Sequence, residues 1–131
     1  TAEPNAGFSV GDAATWLPCG SDPSHHNGAD QTADPGSILN LYRSLLALRR
    51  AEPALHAGTY DPVDAPVGIY AYERRDGDDR FLVAVNFTSV EAVVPLGEAG
   101  SIELSTGLDR TGPVAESLAL RPDEGAIVRI R

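Results

Sequence analysis

The amino-acid sequence predicts a mainly β protein, an antiparallel β-sandwich preceded by a long loop and one amphipathic α-helix. Three observations carry that expectation. After residue 58 the chain breaks into about six short apolar runs separated by Gly, Pro and Asp turns. Residues 35–51 are the one stretch with helical periodicity, and residues 1–34 keep neither a helical nor a strand period.

Size and composition bound the rest. A chain of 131 residues fits one ordinary domain and falls short of the roughly 250 residues of an eight-stranded α/β barrel. Its 42% hydrophobic and 22% charged content is that of a folded globular protein rather than a disordered tail. With 19 acidic against 10 basic residues the net charge is −9, which repels phosphate backbones, so no nucleic-acid partner is expected. There is no run of about 20 apolar residues to span a bilayer, and Thr1–Asn5 lack the basic and apolar parts of a signal peptide. A lone Cys19 cannot close an internal disulfide, and the Arg-rich, Met-free composition points to a cytoplasmic bacterial protein. A first residue other than Met reads as a fragment or a processed chain. With no cofactor signature present, no cofactor is expected.

Residues 1–34 are rich in Gly, Pro, Asp, Asn and Ser, punctuated by Phe8, Val10, Trp16 and Leu17. A loop of that length in a compact domain is either functional or tied down by another body. Asp34 suits a helix N-cap and Pro35 the first helical position. At 100° per residue, Ile38, Leu39, Leu41, Tyr42, Leu45, Leu46 and Leu48 cover about half the circumference, opposite Asn40, Arg43, Ala47 and Arg50. That stripe is wide for a helix covering a single sheet. Pro53 ends the helix and Gly58 marks the next turn.

Residues 69–74 and 80–87 read as strands joined by the acidic turn Asp76-Gly77-Asp78-Asp79. In the second strand Phe81, Val83 and Val85 face one way while Leu82 and Ala84 face the other, so it belongs between two covering layers. Shorter strands are predicted at about 90–95, 101–105, 114–120 and 125–130, with residues 58–62 as a further edge.

Candidate chemistry is sparse. Glycosidic cleavage needs two carboxyl groups about 5 to 9 Å apart, one with its pKa raised by burial. Asp76, Asp78 and Asp79 lie close together, but a solvated hairpin tip cannot raise a carboxyl pKa, so they read as turn residues. His25 and His26, near Asp22 and Asp30, are adjacent rather than spaced at i and i+4, and loop hydrogen bonding outweighs a metal site. Cys19 has both histidines within seven residues but an acidic setting, which disfavours a thiolate nucleophile. The rings of Phe8, Trp16, Tyr60, Tyr70 and Tyr72 could stack on sugars, although core or loop anchoring is the commoner role.

Several motifs taken together are more specific. Asn5-Ala6-Gly7-Phe8-Ser9, Trp16-Leu17-Pro18 and Asp34-Pro35-Gly36-Ser37-Ile38-Leu39, running into Tyr42-Arg43 and Leu46-Ala47-Leu48-Arg49-Arg50, resemble the α-glucosidase and oligo-1,6-glucosidase branch of glycoside hydrolase family 13. Gly58-Thr59-Tyr60, Ala71-Tyr72-Glu73-Arg74, Phe81 to Phe87 and Pro122-Asp123-Glu124-Gly125-Ala126 resemble that family's C-terminal domain. The run His26-Asn27-Gly28-Ala29-Asp30-Gln31 and the tripeptide Pro18-Cys19-Gly20 depart from the family pattern.

The resemblance implies an amylase-type sandwich over residues 58–131, a connector over 52–57, the last helix of a (β/α)8 barrel over 35–51, and the loop after the eighth barrel strand over 1–34. It implies that Phe8 and Trp16 help wall a substrate entrance, because barrel loops at that end build active sites. The family's nucleophilic Asp, acid/base Glu and stabilising Asp come from earlier barrel strands, so no catalytic residue and no metal is assigned here. The chain is expected to be a non-catalytic portion that stabilises a barrel through the Leu41/Leu48 helix face. Without that barrel the face would be bare, which predicts self-association or refolding of the first 34 residues over it. A stand-alone oligosaccharide-binding sandwich and a protein scaffold docking through the helix are the alternatives.

Overall fold

The computed structural model describes every residue except Asp12, Ser21, Ser24 and His25. The chain forms two compact units, residues 1–42 and residues 43–131. None of its described helices is long and apolar enough to cross a membrane.

The second unit is an antiparallel sandwich of eight described strands. They are β1 (Asp61–Pro62), β2 (Ile69–Asp76), β3 (Asp79–Asn86), β4 (Ala92–Pro95), β5 (Gly100–Ser105), β6 (Gly112–Val114), β7 (Ser117–Leu120) and β8 (Gly125–Ile130). One sheet runs β1-β2-β3-β8-β5-β6, and β4 and β7 form the other. Ala71, Leu82, Ala84, Ile102, Ala126, Val128 and Ile130 from the large sheet meet Val94, Leu118 and Leu120 from the small one in a single apolar core. The alternation in β7, where Leu118 and Leu120 are buried and Ser117 and Ala119 are exposed, is the period-2 pattern of a strand with one covered face.

Where the structure departs from the expected strands, the reasons are local. Strands β2 and β3 extend to Asp76 and Asp79, which pair with each other, and leave a two-residue turn of Gly77 and Asp78. A φ of +60° at Gly77 meets the demand of a turn with glycine at its first central position. The single run predicted over 114–120 is two strands in different sheets. β6 pairs with β5, whereas β7 pairs with β4, so the chain changes layers at residues 115–116. In β5 the pairing shifts between Ile102 and Leu104, a bulge at Glu103 that returns Leu104 to register opposite Ile127.

The residues expected as a plain connector contain a short helix, α3 (Pro53–His56), with Pro53 at its start. Ala54 and Phe81 are both fully buried. The Arg129 guanidinium lies 4.4 Å from the centroid of the Phe81 ring and also pairs with Glu52 at 2.5 Å. Gly58 follows α3 because a side chain there would clash with the carbonyl oxygens of Ala54 and Arg75. Its own carbonyl accepts from Arg74 at 2.9 Å, and Thr59 N–H donates to Arg75 O at 2.9 Å. The Gly58-Thr59-Tyr60 motif therefore fastens the chain to the end of β2.

The first unit is organised by side-chain-to-backbone hydrogen bonds. Asn5 and Ala6 take left-handed φ values of 55° and 53°, and the Asn5 amide donates to Val10 O and Ala13 O at 3.0 Å each. A helix that periodicity did not predict, α1 (Gly28–Ala33), begins at Asn27. The Asn27 side-chain oxygen accepts from Ala29 N at 3.0 Å and Asp30 N at 3.1 Å, which is N-capping. The long helix α2 (Ile38–Ala51) starts three residues later than expected. Asp34 instead accepts from Gly36 N at 2.9 Å in a turn, and Ser37 caps α2 by accepting from Asn40 N at 3.2 Å.

Candidate functional site

The two residues assigned to a substrate entrance both lie in the first unit and are open to solvent. Phe8 is 91% exposed and Trp16 is 94% exposed, with Val10 and Leu17 also exposed. They are carried by a segment whose own bonds are polar, so the rings are presented rather than used as core. Among residues 27–40, Gln31 ties helix to helix: its side chain accepts from Leu39 N at 3.1 Å, and its carbonyl accepts from Ser37 Oγ at 2.6 Å. Within the run at 26–31, Asn27 and Gln31 thus form a capping and tethering device.

The arc of α2 divides. Ile38, Tyr42 and Leu46, spaced four apart, are 69%, 61% and 47% exposed, while Leu41 and Leu48 are half-buried. No residue of this helix is buried. The face most lacking a neighbour is therefore Ile38-Tyr42-Leu46.

Of the histidines weighed as metal ligands and read as loop residues, His25 lies outside the described residues. His26 is open to solvent, with its Nδ1 3.6 Å from Asp22, and Asp30 accepts from the Asn27 amide at 2.7 Å. Among the described residues no three His, Cys, Asp or Glu side chains are grouped so as to hold a metal ion. Cys19 is a free, half-buried thiol. At the hairpin tip Asp76, Asp78 and Asp79 are exposed, and Asp79 is engaged by Arg129 at 3.1 Å.

One carboxylate cluster was not anticipated from the sequence. Glu124 is buried and receives Arg110 at 2.6 Å, the Arg121 side chain at 2.7 Å and the Arg121 backbone N–H at 2.8 Å. Arg121 reaches across to both oxygens of Asp109 at 2.6 and 2.8 Å. Burial pushes the Glu124 carboxyl up, but the Arg121 hydrogen bonds and the Arg110 and Arg121 charges prevail and hold it below 4.5. Arg121, chiefly by hydrogen bonding, lowers Asp109 to about 2. A hollow of about 480 Å³ opens here, lined in part by Asp109, Arg121 and Glu124. Its two carboxylates share one guanidinium and both are held ionised, so neither can serve as a proton donor at neutral pH. The cluster locks two turns together. Asn86 does the same nearby: fully buried, it donates to Val90 O and Arg121 O at 2.8 and 2.9 Å and accepts from Thr88.

Three of the four tyrosines gather at the large sheet. Tyr60 and Tyr72 have ring centroids 5.1 Å apart, Tyr70 and Tyr72 5.6 Å, and the Tyr60 and Tyr70 hydroxyls are hydrogen bonded at 2.6 Å. That hydrogen bond, then burial, holds the Tyr60 hydroxyl above its usual 10.0.

No protein-family model matches the chain. Individual proteins do. Glucan 1,6-alpha-glucosidase of Streptococcus dysgalactiae subsp. equisimilis is 30% identical over 126 residues, which is 96% of this chain and 23% of that protein. A solved mutant of trehalulose synthase MutB, from Pseudomonas mesoacidophila MX-45, superposes with a TM-score of 0.83 at 29% identity over 97% of this chain and 24% of that one. The chain belongs to glycoside hydrolase family 13. It spans only about a quarter of the length of these family 13 relatives, and the part it spans covers the C-terminal β-sandwich domain. A further relative, the amino acid transporter heavy chain SLC3A2 of Rattus norvegicus, is 32% identical over 117 residues, 76% of this chain and 22% of that protein.

Proposed function

We propose that this chain is the non-catalytic C-terminal portion of an α-glucosidase-like family 13 enzyme acting on malto- or isomalto-oligosaccharides. In this reading its sandwich stabilises a (β/α)8 barrel, the Leu41/Leu48 face of α2 packs against that barrel, and Phe8 and Trp16 wall the substrate entrance. The observation that supports it best is the alignment of nearly the whole chain with under a quarter of a glucan 1,6-alpha-glucosidase. The charged clusters agree with it: the carboxylates at 109 and 124 are committed to arginine partners, and those at 76 and 78 are exposed at a hairpin tip.

The test is turnover of a chromogenic α-glucoside by the 131-residue chain and by a chain extended upstream through the barrel. Hydrolysis by the extended chain alone is expected, with a raised KM in its Trp16→Ala variant. Turnover by the short chain would refute the proposal. A second reading, a protein scaffold in a membrane-transport assembly, draws on the likeness to a transporter heavy chain; an extended chain that folds but hydrolyses no α-glucoside favours it.

A further inference from the structure

The motif Asn5-Ala6-Gly7-Phe8-Ser9 holds an unusual backbone. Asn5, Ala6 and Gly7 follow one another with φ of +55°, +53° and +77°, three consecutive residues in the left-handed region. Glycine enters that region freely and asparagine tolerates it, but alanine does so at a cost in free energy. Left-handed residues ordinarily occur singly, and a run of them persists where the surrounding bonds over-determine it. Phe8 then returns to a right-handed φ of −79°. The bonds that hold the run come from Asn5. Its half-buried side-chain amide donates toward Ser9 Oγ at 3.1 Å, Val10 O at 3.0 Å and Ala13 O at 3.0 Å, so two N–H groups are shared among three acceptors. Its carbonyl accepts from Phe8 N–H at 3.0 Å, and Val10 O also accepts from Ala13 N–H at 3.0 Å. These bonds fasten the chain before and after Phe8. The Phe8 ring is 91% exposed, so side-chain packing does little to aim it and the backbone of the turn sets its direction.

We propose that Asn5 is a positioning residue for the substrate entrance, holding the left-handed turn that aims the Phe8 ring at the sugar units lying there. This role rests on the function proposed above and adds to it the side chain that sets the ring in place. Asn5 does not itself touch the sugar; it acts through Phe8. An aromatic face offers apolar contact to pyranose C–H groups, and that contact weakens as the ring is displaced. At the entrance the contact is remote from the breaking bond, so it is made alike to bound substrate and to transition state. Losing it therefore raises KM more than it lowers kcat.

A double-mutant cycle on the chain extended upstream through the barrel tests this, with maltotriose and isomaltotriose as substrates. Asn5→Gly leaves the backbone free to take positive φ but removes the bonds to Ser9, Val10 and Ala13. Asn5→Asp keeps the size and the tolerance for positive φ but turns an acceptor-only group toward the Val10 and Ala13 carbonyls. KM should rise about five-fold in the first variant and about ten-fold in the second, with kcat within about two-fold of the unaltered chain. Phe8→Ala should raise KM at least as much, and adding Asn5→Gly to it should change KM by less than about two-fold, because Asn5 acts through the ring. A merely structural role would lower the unfolding midpoint and leave KM in place; that result overturns the proposal, as do additive effects in the cycle. In the 131-residue chain, exchange of the Phe8 amide should quicken about ten-fold in Asn5→Gly while the midpoint of sandwich unfolding stays in place. Unchanged exchange also overturns it. An unaltered extended chain that hydrolyses neither sugar refutes the function proposed above and this role with it, whereas normal turnover with an unmoved KM in the Asn5 variants refutes the positioning role alone.

Discussion

The two units of this chain are built on opposite principles. In residues 43–131 the buried residues are chiefly apolar, from Ala54 and Phe81 to Leu118, Val128 and Ile130. Among the described residues of 1–42 the buried ones are Asn27 and Ser37, both polar, while Phe8, Val10, Trp16, Leu17, Ile38 and Tyr42 are exposed. One region has a hydrophobic core of its own. The other is held by capping and tethering hydrogen bonds and carries its apolar side chains outward. Net hydrogen-bond contributions of roughly 1 kcal/mol each order a loop but do not replace burial of large side chains. The first unit is thus the part that gains most from a covering body, which agrees with its proposed place at the mouth of a barrel.

The largest expected effect sets the two regions apart most sharply. Leu118→Ala removes a fully buried side chain from between the sheets and should cost about 2–5 kcal/mol in urea unfolding. A loss below about 0.5 kcal/mol would break the comparison, because it would mean the sandwich core is not what holds the second unit.

Next comes Glu124→Gln, which withdraws the buried charge that Arg110 and Arg121 face. Both guanidiniums keep some water, with side chains 28% and 43% exposed, so the cost should be about 1–3 kcal/mol. The sign in pH follows from the lowered pKa values of Glu124 and Glu73. A carboxyl group whose folded pKa lies below its unfolded value of about 4.5 binds its proton more readily when unfolded. Its stabilisation is fully present above that value and is lost as pH falls through the folded pKa. Stability measured from pH 7 to 3 should therefore decline below about 4.5 in the native chain, and less steeply in the variant.

Asn27→Ala removes the N-cap of α1 and should cost that helix about 1 kcal/mol, read as faster amide exchange at residues 29–33. The midpoint of sandwich unfolding should stay in place, which sharpens the separation of the units. Smallest of all, Trp16→Ala in the short chain should change stability by no more than about 0.5 kcal/mol, since the ring is 94% exposed.

Elements with strong local periodicity were legible in the sequence. The β2–β3 pair follows from its alternation and its Gly-containing turn, and the apolar stripe of α2 follows from its 3.6-residue period. What escaped depended on distant partners or on polar side chains. The run at 114–120 looks continuous because periodicity carries no information about a change of sheet. Helix α1 has only six residues and no apolar period; its signal is the Asn27 cap, which a composition reading assigns to loop. The start of α2 was misplaced because Asp34 can satisfy either a helix end or a turn, and Gly36 together with Ser37 decided for the turn. The Asp109–Arg121–Glu124 cluster joins residues up to 15 positions apart on two turns, so no local pattern announces it, although Pro122-Asp123-Glu124-Gly125 was already legible as part of the family resemblance.

Native-state hydrogen exchange on the 131-residue chain measures the contrast between the units most directly. Amides in β2, β3 and β8 should open only with global unfolding of the sandwich, while those of residues 1–33 should exchange through low-energy local opening. Uniform protection across both regions, with one shared response to urea, would contradict the account, because the polar-bonded arm would then be as self-sufficient as the sandwich.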